Sequence, residues 1–180
     1  MEREIAKVFP QRIIFLLKES ILILSFSVFT GIFAKLKIEI EPVPITLQTL
    51  AVLLSGAILG KRGAISQIIY LLYGIFGIPW FARGGGISYV FSPTFGYLLG
   101  FVICSFFVGS LFEKNFAKDF KSSVFIMILG NLILYIPGIF WLANFVGFKD
   151  ALKFGFYPFL LGDFSKVFLA SLIYVTLFKR

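Results

Sequence analysis

"PITLQTLAVLLSGAILGKRGAISQIIYLLYGIFGI", Pro44 to Ile78, is apolar on both sides of a single basic pair, Lys61 and Arg62. Two short membrane spans meeting at a basic turn would give this pattern, and so would a re-entrant hairpin. The hairpin tip would carry Lys61 and Arg62 deep into hydrocarbon, where each charge costs about 2.5 to 3.5 kcal/mol. Two spans, Pro44 to Gly60 and Ala64 to Ile78, leave the pair at a membrane surface instead.

The rest of the chain supports the same choice. Hydrophobic residues make up 59% and charged residues 14% of the 180, whereas soluble domains carry roughly a quarter charged residues. Further apolar runs occupy Ile13 to Ala34, Phe95 to Phe112, Val124 to Leu142 and Phe159 to Phe178, each near spanning length. The first follows a basic N-terminus as a signal peptide would, yet it runs past signal-peptide length without a small-residue cleavage site, so it reads as a retained span. The expectation is an all-α integral membrane protein: residues 1–180 form one domain, a bundle of six transmembrane helices, with no room for a soluble catalytic or nucleotide-binding domain.

Charge sets the orientation. Arg3, Lys7, Arg12, Lys18, Lys61, Arg62, Lys114, Lys118, Lys121, Lys179 and Arg180 fall on one side; Lys35, Lys37, Arg83, Lys149 and Lys153 fall on the other. The positive-inside rule then puts both termini in the cytoplasm of a multi-pass cell-membrane protein surrounded by membrane lipids. The net charge of +8 is accounted for by these flanking residues, so nucleic acid is not expected as a partner.

Several chemistries lack material. The chain has no histidine and one cysteine, Cys104, which excludes an intrachain disulfide and removes the commonest metal ligands. No nucleophile stands beside a base, and the expectation is a protein that is not an enzyme and has no cofactor.

What remains is a small set of polar residues. Asp163 and Lys166, in "PFLLGDFSKVFLAS" (Pro158 to Ser171), lie three apart on one helix face and can point together into the bundle. They read either as ligand-binding residues or as a pair that offsets its own burial. Asn131 and Gln48 add amides at membrane depth, as ligand groups or as helix-to-helix hydrogen bonds. The outer segment Ile78 to Gly100 combines Trp80, Phe81, Tyr89 and Phe91 with Gly84 to Gly86 and Arg83. It reads as a flexible ligand cover or as an aromatic interfacial belt. In the first span, Ser27-x-x-x-Gly31 and Thr30-x-x-x-Ala34 offer small-residue faces for a partner helix or for the protein's own bundle.

"EPVPITLQTLAVLLSGAILGKRGAISQIIYLLYGIFGIPWFARGGGISYVFSPTFGYLLGF" (Glu41 to Phe101) together with "FGFYPFLLGDFSKVFLAS" (Phe154 to Ser171) resembles the BioY family, the biotin-specific membrane subunit, or S component, of energy-coupling-factor transporters. It departs from that pattern at Arg83, where a run of small residues is expected. The resemblance implies a six-helix subunit that captures biotin from outside under two covering loops. It also implies that the chain works with a transmembrane coupling protein and two ATPase subunits. By the same likeness Asp163 and Lys166 are the leading ligand residues and Tyr97 lines the pocket. Biotin is the transported ligand and not a cofactor. Its ureido group suits Asp163, Lys166 and Asn131, its thioether ring and alkyl chain suit Trp80 and Tyr97, and its carboxylate suits Arg83. The alternatives are a capture subunit for a different vitamin-like molecule, an intramembrane enzyme, or a purely structural subunit.

Overall fold

The computed structural model describes residues 2–179, with side chains from Gln11 onward. Arg180, and the side chains of Arg3 and Lys7, which the charge count uses, lie outside the described set. The chain is mostly helical: α1 (Glu2–Lys35), α2 (Gln48–Leu59), α3 (Gly63–Ile75), α4 (Phe95–Glu113), α5 (Phe120–Val146), α6 (Phe148–Gly155) and α7 (Leu160–Ile173). Among the described residues, five stretches are long and apolar enough to cross a membrane: Gln11–Lys35, Gln48–Ile75, Phe95–Glu113, Phe120–Val146 and Phe148–Phe178.

The second stretch is folded back on itself. A straight helix would hold Gln48 and Tyr70 about 33 Å apart at 1.5 Å per residue. Instead Gln48 Nε2 donates to the Tyr70 hydroxyl at 2.7 Å, and Gln67 Nε2 donates to Ser55 Oγ at 3.2 Å. α2 and α3 are therefore the arms of an antiparallel hairpin. It reverses at Gly60, whose φ of +61° is strained for any residue with a Cβ.

The hairpin's basic tip is tied down. Arg62 pairs with Glu19 of α1, and Lys61 lies 3.8 Å from Glu113 at the last residue of α4. At the opposite end the Leu47 N–H donates to the Leu36 carbonyl at 3.1 Å, beside the end of α1. Glu19 and Lys35 are separated by about 24 Å of helix, so the hairpin runs along most of the bundle's height. α2 is the innermost arm: ten of its twelve residues are buried, between α1, α4 and α7. The aliphatic residues of α1 from Ile13 to Ile32 are mostly exposed, as a helix in contact with lipid requires.

Three elements lie outside the six expected spans. Lys37–Ile38 (β1) and Ile45–Thr46 (β2) pair antiparallel, which delays the start of α2 from Pro44 to Gln48. α6 lies between the apolar runs Val124 to Leu142 and Phe159 to Phe178, with Ala151 and Gly155 buried one turn apart.

The small residues of α1 point inward. Ser27 Oγ donates to the Ser66 carbonyl at 2.7 Å, and Gln67 Nε2 donates to Thr30 Oγ1 at 3.2 Å. A Cβ on Gly31 would come within 3.0 Å of the Trp80 ring, and Ala34 is fully buried. The partner-helix reading of these positions is corrected: they let α1 approach α3 and Trp80 within the protein's own bundle.

Candidate ligand-binding site

α7 brings Asp163 and Lys166 onto one buried face, and Lys166 Nζ lies 2.7 Å from Asp163 Oδ1. α5 faces them with Asn131 and Tyr135, one turn apart. Asn131 Nδ2 donates to Asp163 Oδ2 at 3.0 Å, and the Tyr135 hydroxyl donates to the same oxygen. All four side chains are more than nine-tenths buried. A carboxylate offers about four acceptor positions, and three of those on Asp163 are filled from within the protein.

This hub fixes what is left for a ligand. Facing Asp163 with its N–H group leaves Asn131 no choice of amide orientation, because the reverse would set oxygen against oxygen. Its Oδ1 is buried without a hydrogen-bond partner among the described residues, an arrangement that costs about 1 to 3 kcal/mol. Lys166 has two further N–H donors, since an ammonium carries three.

Asp163, Lys166 and Tyr135 open onto a small, partly open cavity with mostly apolar walls, the character of small-molecule sites. α4 supplies Tyr97, Leu98 and Phe101, α5 adds Leu134, and Phe159 precedes α7. Tyr97 stacks near Phe159 with ring centroids 6.3 Å apart, and its hydroxyl donates to the Gly155 carbonyl at 2.9 Å. That bond is what α6 contributes. Gln48 also lines the cavity, its amide held by Tyr70 and Thr46.

Val43 and Pro44 from the α1–α2 connection, with Ala82, Tyr89 and Thr94 from the α3–α4 connection, complete the lining. These two connections clasp each other. Lys35 and Lys37 donate to the carbonyls of Phe81 and Ala82 at 2.7 and 2.6 Å. Arg83 reaches back to the carbonyls of Ile40 and Pro42 and to the carboxylates of Glu39 and Glu41. The Glu39 carboxyl is held below its usual range, chiefly by the hydrogen bond from Lys37, with Arg83 acting in the same direction against partial desolvation. Gly84 and Gly86 take positive φ, and a Cβ on Gly85 would come within 2.3 Å of the Ile78 carbonyl oxygen. Gly85 is thus the close-fitting point of the turn, and Gly84 and Gly86 supply its positive φ.

Of the residues singled out in the sequence, Asp163, Lys166 and Tyr97 line the cavity, and Asn131 lies behind Asp163. Arg83 and Trp80 lie outside the lining. Arg83 is engaged in the clasp, and Trp80 packs on Tyr70 with its Nε1 donating to the Tyr70 carbonyl at 2.8 Å. Tyr135 is the residue that sequence reasoning missed; its spacing of four from Asn131 was the available signal.

Residues 4–180 match the family model described as the BioY family. The "Probable biotin transporter BioY" of Pyrococcus horikoshii is 38% identical over 158 residues, covering 87% of this chain and 93% of that protein. The "Biotin transporter BioY" of Thermotoga maritima is 39% identical over 151 residues, covering 81% and 87%. Among solved structures, the S-component for biotin from an ECF-type ABC transporter superposes with a TM-score of 0.82 at 25% identity, covering 91% of this chain and 92% of that one. The chain belongs to the BioY family.

Proposed function

We propose that this chain is the biotin-capturing membrane subunit of an energy-coupling-factor transporter, a transport protein rather than an enzyme. The observation that carries the reading is the buried Asp163 hub, which leaves one carboxylate position and free ammonium donors facing a partly open, largely apolar cavity. Biotin suits that inventory. A ureido N–H meets the remaining position on Asp163, which Asn131 holds from behind; Lys166 donates to the ureido carbonyl, and Tyr97 and Phe159 cover the ring and alkyl chain.

The hairpin of α2 and α3 counts as two spans in this reading, giving six in one domain. Its support is the tip's pairing with Glu19 and Glu113, which sets Lys61 and Arg62 at the end of α4. The basic side is cytoplasmic, both termini lie there, and the clasped connections face outward from the cell membrane. Arg83 secures this roof, and Trp80 wedges it against α1 and α3. Uptake then requires a coupling protein and two ATPase subunits as partners. Equilibrium binding of the purified protein to a panel of vitamins tests the reading. Saturable binding of biotin alone is expected; preference for another vitamin would overturn it in favour of a capture subunit of different specificity.

A further inference from the structure

A second space adjoins the cavity. An open groove runs along the lipid-facing surface between the β-hairpin, the start of α2 and α7. Leu36, Ile38, Ile45, Leu47, Leu50 and Leu169 supply apolar walls, and Thr46 and Lys166 line both the groove and the cavity. We infer that the binding cavity opens sideways between Thr46 and Lys166, so that the site accepts biotin-type ligands bearing a long alkyl extension whose tail lies in this groove.

The inference rests on the biotin reading and adds a ligand class to it. The route through the roof is crossed by the hydrogen bonds of Lys35, Lys37 and Arg83. The lateral wall is thin by comparison. It consists of a two-residue strand ending at Thr46 and the side-chain stem of Lys166. One turn before Lys166 the wall has no side chain, because a Cβ on Gly162 would find only Ile45 Cγ2, at 4.0 Å. Beyond it the tail replaces a lipid chain of the same chemistry, so no polar group is stranded.

Gly162 and Leu169 face the groove without lining the cavity, so they separate the two ligand classes. Wild type, Gly162→Trp and Leu169→Trp are titrated in one detergent with biotin, N-methyl biotinamide and N-octyl biotinamide. The methyl amide controls for loss of the carboxylate charge, and comparison between variants cancels partitioning into micelles. Wild type is expected to bind the octyl amide about tenfold or more tighter than the methyl amide, because each methylene leaving water is favourable. Either tryptophan should cut octyl-amide affinity by about tenfold while biotin and the methyl amide change by less than about threefold. If biotin binds but the octyl amide does not, or if the variants leave octyl-amide binding intact, the groove holds only lipid and the inference fails. Absence of biotin binding by wild type would instead bring down the reading beneath it.

Discussion

Lys166 donates to Asp163 across 2.7 Å within one turn of α7, and both side chains are more than nine-tenths buried. Breaking a buried pair from one side is strongly unfavourable, about 3 to 5 kcal/mol, because the other charge is left uncompensated. Lys166→Ala should therefore lower the thermal midpoint and abolish biotin binding together. In the double variant Asp163→Asn/Lys166→Ala the uncompensated charge is gone, so the midpoint should recover while binding stays lost. A double variant that binds biotin normally would reduce the pair to a structural role.

Tyr135→Phe removes one donor from Asp163 and little volume. A hydrogen bond to a charged group is worth about 1.5 to 3 kcal/mol, and the loss should appear as weaker biotin binding in calorimetry. Asn131→Asp should be worse than Asn131→Ala, because a second carboxylate 3.0 Å from Asp163 repels it. Equal effects of the two Asn131 substitutions would show that its amide does not bear on the charge of Asp163.

Four loop acceptors already engage Arg83. Arg83→Ala should accordingly speed dissociation of biotin and of uncharged biotin amide by the same factor, as measured by stopped-flow or radioligand release. A larger loss for biotin itself would mean that the guanidinium leaves the clasp to bind the carboxylate.

Acid should act on the same clasp. Glu39 has its carboxyl depressed by Lys37 and Arg83, so its contribution is complete above the ordinary value of 4.5 and is lost as pH falls through the depressed one. Biotin release rates should be flat between about pH 5 and 7 and rise below, with the rise diminished in Glu39→Gln. The residue is exposed, so the effect should be modest and weaken with salt. A rise already complete near neutrality would place the controlling group elsewhere.

The close-fitting glycine turn predicts a backbone clash. Gly85→Ala, with its Cβ directed at the Ile78 carbonyl, should distort the roof and slow biotin association while the protein still inserts. Unchanged association kinetics would make the three glycines a spacer.

How legible all this was in the sequence depended on range. Asp163 and Lys166 stood out because two charges three apart in an apolar run have few explanations, and the Lys61–Arg62 pair marked the hairpin's turn for the same reason. Tyr135 gave no such contrast, because a tyrosine among aliphatic residues reads equally as an interfacial anchor. The acceptors of Arg83 lie more than forty positions earlier, and no local pattern announces a contact of that range. β1 and β2 are two residues each, too short for any alternation to register, and the eight residues of α6 were masked by the polar character of their segment. The small residues of α1 were visible, but spacing alone does not say which neighbour a helix face meets.

We propose a biotin site in the polar hub around Asp163 and the cavity beside it. Calorimetric titration of the detergent-purified chain with biotin, paired with a thermal melt in the same buffer, tests it most directly. Wild type should give a saturable heat, absent in Lys166→Ala, and a melting temperature that climbs with biotin concentration, since a ligand that binds only the folded state stabilises it. No heat and no thermal shift at high biotin concentration would contradict it.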